Sequence, residues 1–162
     1  MSSSDNGSAR AVANFAEGYV LATVEIAASP ERVFQALASK EIVDWWVRPG
    51  VFDTREWSGD VRVGGRWRAS GMAGGKPYVL EGQFLELDPP KKLVHTWHFP
   101  GAAETATTVT YLLEQLNEGT RLTIRHSGFP TGKSCANTSM GWETSLQRLA
   151  EILNANAHAQ KR

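Results

Sequence analysis

The stretch TSMGWETSLQRLAEIL, residues 138–153, predicts one long amphipathic helix near the C-terminus. Its apolar residues recur at the three- and four-residue spacing of a buried helical stripe. They are Met140, Trp142, Leu146, Leu149, Ile152 and Leu153. Only this helix is long enough to cover the inner face of a sheet, so it decides how the rest of the chain can pack.

Six predicted strands precede this helix. Each is an extended run rich in apolar and β-branched residues, bounded by clusters of Gly, Pro, Asn or Asp. Their approximate ranges are 51–57, 66–70, 78–87, 93–99, 107–116 and 120–127. Short turns such as Gly74-Gly75-Lys76-Pro77 join them, and such short connections imply an antiparallel meander.

One more strand and two short helices are predicted before the meander. Alternating apolar residues indicate a strand over 19–28. Ser29-Pro30-Glu31 then supplies an N-cap, a proline at the first helical position and an early acid, which begin a helix ending near Ala38. A second short helix starts near Lys40 and must end at Pro49-Gly50.

This order of elements predicts an α+β, helix-grip fold. About seven antiparallel strands form a curved sheet wrapped around the long C-terminal helix, with two short helices after the first strand. A strongly twisted sheet curls, so its concave side can keep a cavity between sheet and helices. The expected organisation is a flexible tail over 1–16, a single domain over 17–155 and a frayed tail over 156–162.

Composition argues against several classes of function. Lys and Arg total 17 and so do Asp and Glu, so no overall field attracts nucleic acid. No secretory signal or membrane-spanning apolar run is visible. The single cysteine, Cys135, is expected in a loop, and its lack of a disulfide partner fits a cytoplasmic protein. Sequence motifs for metals or nucleotides are missing too, so no cofactor is predicted.

A series of motifs in a fixed order runs through most of the chain. They are ASPERVF (28–34), VDWW (43–46), VGGRW (63–67), GQFLELDPPKKLVHTW (82–97), GTRLTIRHSGF (119–129) and GW (141–142). Together they resemble the START-like superfamily, called SRPBCC, and within it the family of the activator of heat-shock protein 90 ATPase. The resemblance implies a helix-grip fold that binds lipids, polyketides, hormones or other apolar molecules. Some members act as cyclases or hydrolases.

Strict alternation along the strands assigns side chains to the concave face, although a one-residue register shift would turn Trp67 outward. The predicted inward sets are Trp67 and Ala69; Leu93, His95, Trp97 and Phe99; Val109, Tyr111 and Leu113; and Leu122, Ile124 and His126. Adding residues of the covering helices gives the predicted ligand-binding cavity. Its residues are Trp45, Trp46, Trp67, His95, Trp97, Tyr111, His126, Met140 and Trp142.

Each of these candidates also has an ordinary structural explanation. His126 could hydrogen-bond a ligand or act as an acid or base, but buried histidines usually find protein partners, and His95 is equally ambiguous. The six tryptophans fill cores as readily as they line cavities. Five arginines could clamp a carboxylate, although solvated strand faces explain most of them. They are Arg48, Arg55, Arg66, Arg68 and Arg125.

The leading functional hypothesis is non-covalent binding of a small hydrophobic or aromatic ligand, such as a lipid or polyketide. One alternative is a stress-response or co-chaperone-like protein-interaction module, and homodimerisation stays open. Another is a polyketide cyclase or hydrolase that uses His126 with a water molecule. Catalysis is the less favoured prediction, because it would depend on that single titratable residue.

Overall fold

The computed structural model of the protein describes residues 9–14, 16–129 and 132–160. Nine strands occur in these ranges. They are β1 (Arg10–Asn14), β2 (Tyr19–Ile26), β3 (Val47–Arg48), β4 (Phe52–Gly59), β5 (Arg66–Ala73), β6 (Lys76–Asp88), β7 (Lys92–Trp97), β8 (Thr107–Leu116) and β9 (Gly119–Ser127). The helices are α1 (Pro30–Leu37), α2 (Ile42–Trp45), α3 (Gly132–Gln160) and a short 3-10 helix (Ala103–Thr105).

All nine strands belong to one antiparallel sheet with the order β1-β2-β9-β8-β7-β6-β5-β4-β3. The pairing of β2 with β9 joins the two ends of the domain, with Val20 opposite His126. Helix α3 contacts β1 and β2 near one edge of the sheet and β3 at the other. A sheet that meets one helix at both edges must curl around it, which confirms the predicted helix-grip architecture.

Local sequence explains how the sheet curls. The register shifts between Thr54 and Glu56 on β4, and between Phe84 and Glu86 on β6. Such irregularities bend a strand and increase its twist. Gly82 permits β6 and β7 to approach closely, because a Cβ there would lie 1.9 Å from the carbonyl oxygen of Thr96.

The hydrophobic core lies between the concave face and the helices. Leu146, Leu149 and Leu153 of α3 are almost wholly buried, as the predicted helical stripe requires. Met140 departs from that stripe, since 47% of its surface is exposed. Ser29 caps α1 by accepting a hydrogen bond from the Arg32 amide at 3.2 Å.

Two strands of the sheet were not expected from the sequence. β1 lies in the segment 1–16, which the sequence assigns to a flexible tail, and the two-residue β3 is too short to produce a pattern. β1 pairs with β2, and α3 supports it through Gln147 Oε1, which accepts a hydrogen bond from the Ala9 amide at 2.8 Å. The strand therefore depends on tertiary partners that its small and polar residues do not reveal.

The C-terminal helix is longer than the sequence indicates. It begins at Gly132, so Cys135 belongs to a helix rather than the expected loop, and it continues to Gln160, through most of the predicted frayed tail. Residues 1–8, 15 and 161–162 of the two predicted tails lie outside the described residues. None of the described helices combines the length and hydropathy that crossing a membrane requires.

Candidate ligand-binding cavity

A cavity of about 490 Å³ opens between α3, the short strand β3 and the neighbouring ends of β4 to β7. This volume is within the range of sites for small molecules. Its walls are formed by Trp46, Arg48, Val51, Phe52, Thr54, Ala73, Tyr78, Leu80, Trp97, Phe99, Thr138, Gly141, Trp142 and Ser145. A larger depression of about 750 Å³ around the turn between β8 and β9 is lined mainly by polar residues such as Glu25, Gln115 and Arg121.

Strand β3 and helix α3 shape the cavity wall. Trp46, at the end of α2, and Arg48, on β3, both border the cavity. β3 pairs with β4, with Arg48 opposite Phe52. On the facing helix Gly141 has no side chain, and a Cβ added there would lie 3.6 Å from the Phe52 ring. The aromatic ring can therefore lie close to the helix without closing the space beside it.

The polar groups of the cavity are few. Thr54 Oγ1 and the Tyr78 hydroxyl form a short hydrogen bond with each other. Burial raises the pKa of Tyr78, so it remains a neutral phenol. Ser145 is buried in the helical wall. Among the described lining residues Arg48 alone is charged, and its guanidinium lies 3.9 Å from the sulfur of Met140 at the mouth.

Trp46 is the centre of a cluster of indole rings that separates the cavity from the core. Its ring centroid lies 4.9 Å from that of Trp97 and 6.4 Å from that of Trp142. Trp45 and Trp67 approach it edge to face at 5.8 and 5.7 Å. Among the described residues, Trp46 Nε1 is the one buried side-chain nitrogen or oxygen without a hydrogen-bond partner.

His126 lies behind this cluster, with protein partners on both ring nitrogens. Trp142 Nε1 donates a hydrogen bond to His126 Nδ1 at 3.0 Å, and His126 Nε2 lies 2.6 Å from Thr107 Oγ1. The Thr107 hydroxyl donates in turn to the Trp97 carbonyl at 3.2 Å. These bonds select the neutral tautomer that carries its hydrogen on Nε2. Burial, followed by the proximity of His95, lowers the pKa of His126 to about 3.

His95 is held in the opposite tautomer. Its Nδ1 lies 3.0 Å from the Thr96 carbonyl, which can only accept, while Nε2 accepts from the Tyr111 hydroxyl at 2.9 Å. Burial lowers the pKa of His95 to about 4 and raises the pKa of Tyr111. Trp67 Nε1 donates to the same carbonyl at 3.1 Å.

The chemistry available to these groups is limited by their partners. Both histidines are neutral near pH 7, and every one of their ring nitrogens already has a protein partner. In the ranges that the structure describes, no three His, Cys, Asp or Glu side chains come together as a metal site would require. The arrangement suits non-covalent binding in the cavity and a structural role for the two imidazoles.

The predicted site residues separate into three groups. Trp46, Trp97 and Trp142 line the cavity. The second group is buried in the core behind it and consists of Trp45, Trp67, His95, Tyr111 and His126. Met140 is half-exposed beside Arg48 and is not part of the lining. Alternation along the strands identified inward side chains, but it could not distinguish a filled interior from an open one.

Several lining residues were missed by the sequence analysis. Tyr78 and Leu80 share a strand face with the buried Phe84, so extending period two along β6 would have found them. Phe52 and Thr54 precede the register shift on β4, which breaks the alternation from Trp57. Phe99 was expected inside the sheet, yet 61% of it is exposed, because it lies beyond the end of β7 at the cavity mouth.

A curled antiparallel sheet that grips a C-terminal helix and encloses a cavity defines the START-like, helix-grip class of protein. Within that class, residues 27–154 match the sequence pattern of the family described as activator of Hsp90 ATPase homolog 1-like protein. The chain belongs to this family, which confirms the resemblance seen in the sequence motifs. No curated protein matches the sequence.

Solved structures of bacterial proteins share the fold. A crystal structure from Chromobacterium violaceum is 28% identical with a TM-score of 0.75, covering 85% of this chain and 97% of that one. A Mycobacterium smegmatis structure has 18% identity and a TM-score of 0.75, with 90% and 97% coverage. A Rhodobacter sphaeroides structure has 21% identity and a TM-score of 0.74, with 91% and 99% coverage. The last two similarities concern the fold alone.

Proposed function

We propose that the protein binds a small hydrophobic or aromatic molecule in the cavity beside α3. The observation that carries this proposal is a cavity of about 490 Å³ with a wall of three indole rings. These are Trp46, Trp97 and Trp142. Flat, rigid indoles offer a large apolar contact area at low entropic cost, which suits a flat or flexible apolar ligand.

The hydrogen bonds of His126 in the core support ligand binding rather than catalysis. A cyclase or hydrolase built on His126 would need a ring nitrogen free to take a proton from water. Trp142 and Thr107 occupy both nitrogens, and burial makes the imidazole a weak base. Membership of the family is compatible with a ligand-binding domain and does not by itself select a ligand.

Native mass spectrometry tests the proposal directly. The protein is purified from the cells that naturally produce it, and its native mass is compared with its denatured mass. We expect a non-covalent increment of a few hundred daltons that disappears on denaturation. A bare native mass that stays bare after incubation with a broad set of apolar compounds would reject the proposal in favour of the protein-interaction alternative.

A matched pair of variants locates the binding to this cavity. Val51 lines the cavity mouth and is 46% exposed, whereas Val61 is 42% exposed in the turn before β5 and lies outside the lining. Both positions accept a larger side chain without overpacking the core. Val51→Trp should weaken ligand binding and Val61→Trp should not. Equal effects of the two changes would place the ligand elsewhere.

Two further expectations accompany the proposal. A cytoplasmic location is supported by the single Cys135, which cannot form an internal disulfide. Homodimerisation would appear in the same native mass spectra as a species of twice the chain mass. A ligand increment on the monomer would show that binding does not require a second copy.

A further inference from the structure

Arg48 is a charged residue of the cavity lining. The other described lining side chains are apolar, aromatic or hydroxyl-bearing, and no acid is among them. Its guanidinium lies 3.9 Å from the sulfur of Met140, which is a weak acceptor. In the described part of the chain no carboxylate lies within ion-pair distance of Arg48.

Two other arginines that are partly buried have anionic partners. Three of the described arginines are partly buried, namely Arg32, Arg48 and Arg121. Arg32 pairs with Glu41 at 2.7 Å, and Arg121 pairs with Glu25 at 3.0 Å and with Glu114 at 3.2 Å. Arg48 differs from both, because no carboxylate of the described residues lies within ion-pair distance of its guanidinium. A guanidinium beside an apolar cavity attracts an anion more strongly than one in open water.

Trp46 adds a second observation on the same wall. It lies two residues before Arg48, and only 4% of its surface is exposed. Its indole nitrogen has no hydrogen-bond partner, although a buried N–H group normally has one. The cavity wall that carries Arg48 thus also contains a buried polar group without a protein partner.

We propose that the ligand is an apolar carboxylic acid whose ionised head group pairs with Arg48 at the cavity mouth, while its apolar body lies against Trp46, Trp97 and Trp142. A planar carboxylate matches the fork of a guanidinium in two parallel hydrogen bonds. This inference rests on the proposed function, since it specifies the chemistry of the molecule bound in the same cavity.

Calorimetric titration with matched probes tests the inference. Octanoic acid is compared with 1-octanol, and 2-naphthylacetic acid with 2-(2-naphthyl)ethanol, all near neutral pH. The first pair represents aliphatic acids and the second aromatic acids. In at least one pair we expect the acid to bind about 10- to 100-fold more tightly than its alcohol, the range typical of a hydrogen-bonded charge.

Variants assign that preference to Arg48. Arg48→Gln should abolish the preference for the acid, whereas Arg66→Gln, on the exposed face of β5, should retain it. Arg48→Lys keeps the charge but loses the planar fork, so it should reduce the preference without abolishing it. This last variant also serves if Arg48→Gln does not fold.

The outcomes separate this inference from the proposed function. If alcohols bind as tightly as acids, or if the preference survives Arg48→Gln, the carboxylate inference is overturned while ligand binding stands. If none of the four probes binds, the carboxylate inference is overturned, and native mass spectrometry decides the proposed function on its own. If the preference for the acid disappears only with changes at Arg48, both are supported.

Discussion

The interior of the domain has two sides, and their polar groups differ in whether they have hydrogen-bond partners. Behind the indole cluster, His95 and His126 have partners on all four ring nitrogens. On the cavity side, within the described part of the chain, Trp46 has an unpaired nitrogen and Arg48 has no carboxylate within ion-pair distance. Because unpaired buried polar groups cost free energy, the first side should contribute more to stability than the second.

The largest expected effect comes from removing the residue shared by both sides. Trp142→Ala should lower the free energy of unfolding by about 3–5 kcal/mol, because it empties a large buried volume and leaves His126 Nδ1 without its donor. Urea denaturation measures the change. Phe99→Ala, at the exposed rim, should alter stability by less than about 0.5 kcal/mol. Similar losses of unfolding free energy in the two variants would contradict the difference between the two sides of the interior.

The second largest expected effect is a loss of stability at acidic pH, which arises from the two buried histidines. The pKa values of His95 and His126, about 4 and about 3, lie below the value of about 6.5 for an unfolded histidine. Between these values the unfolded chain binds protons that the folded chain does not, so stability falls as the pH drops below about 6.5. From about pH 7 to about pH 5, the loss should be on the order of 3 kcal/mol.

Urea denaturation at several pH values checks this loss, and His98→Asn is the control. His98 bonds to the Phe99 carbonyl outside the buried network, so its replacement should leave the loss caused by His95 and His126 in place. Stability that stays constant from about pH 7 to about pH 5 would contradict the prediction. Nitrogen NMR of the imidazoles should also find opposite tautomers, with hydrogen on Nε2 of His126 and on Nδ1 of His95.

A pair of tyrosines sharpens the comparison further. Tyr111→Phe removes the donor to His95 Nε2 in a fully buried place and should cost about 1–3 kcal/mol. Tyr78→Phe removes the partner of Thr54 Oγ1, but the adjoining cavity can admit water, so the cost should be below about 1 kcal/mol. Thermal or urea unfolding of both variants would contradict the comparison if Tyr78→Phe were the more damaging change.

The smallest expected effect is a gain in stability at the cavity wall. Gly141→Ala replaces a helical glycine, and the new Cβ would be in ordinary contact with Phe52 at 3.6 Å. Helix propensity then favours the variant by about 0.5–1 kcal/mol. We expect ligand affinity to decrease at the same time, because the methyl group takes space from the cavity. A loss of stability would show that the wall cannot accept even this methyl group.

Much of the fold could be predicted because local signals agree with the tertiary structure. Ser29-Pro30 begins α1, the stripe ending at Leu153 forms α3, and alternation places Tyr111 and His126 inside. β1 escaped prediction because its stability comes from pairing with β2 and from side chains of α3. The nine-stranded sheet is therefore wider than a sequence pattern alone could indicate.

The candidate site was less predictable than the fold, for a physical reason. Sequence periodicity reports which side a residue faces, while a cavity depends on how volumes add up across several elements. Tyr111 and Trp97 both face inward, yet one is buried in a bonded network and the other borders open space. The sequence offered five arginines as possible partners of a carboxylate and gave no reason to prefer Arg48. The position of β3 in the structure is what places Arg48 at the cavity.

Because the indole rings lie close together, the intrinsic fluorescence of the unlabelled protein should report on what the cavity contains. The centroids of Trp46 and Trp97 lie 4.9 Å apart and those of Trp97 and Trp142 5.8 Å apart, so excitation energy can pass readily among the three rings. A molecule that enters the cavity replaces solvent against all of them at once. Its arrival should shift and quench the intrinsic emission, so binding and release can be followed in real time without a dye.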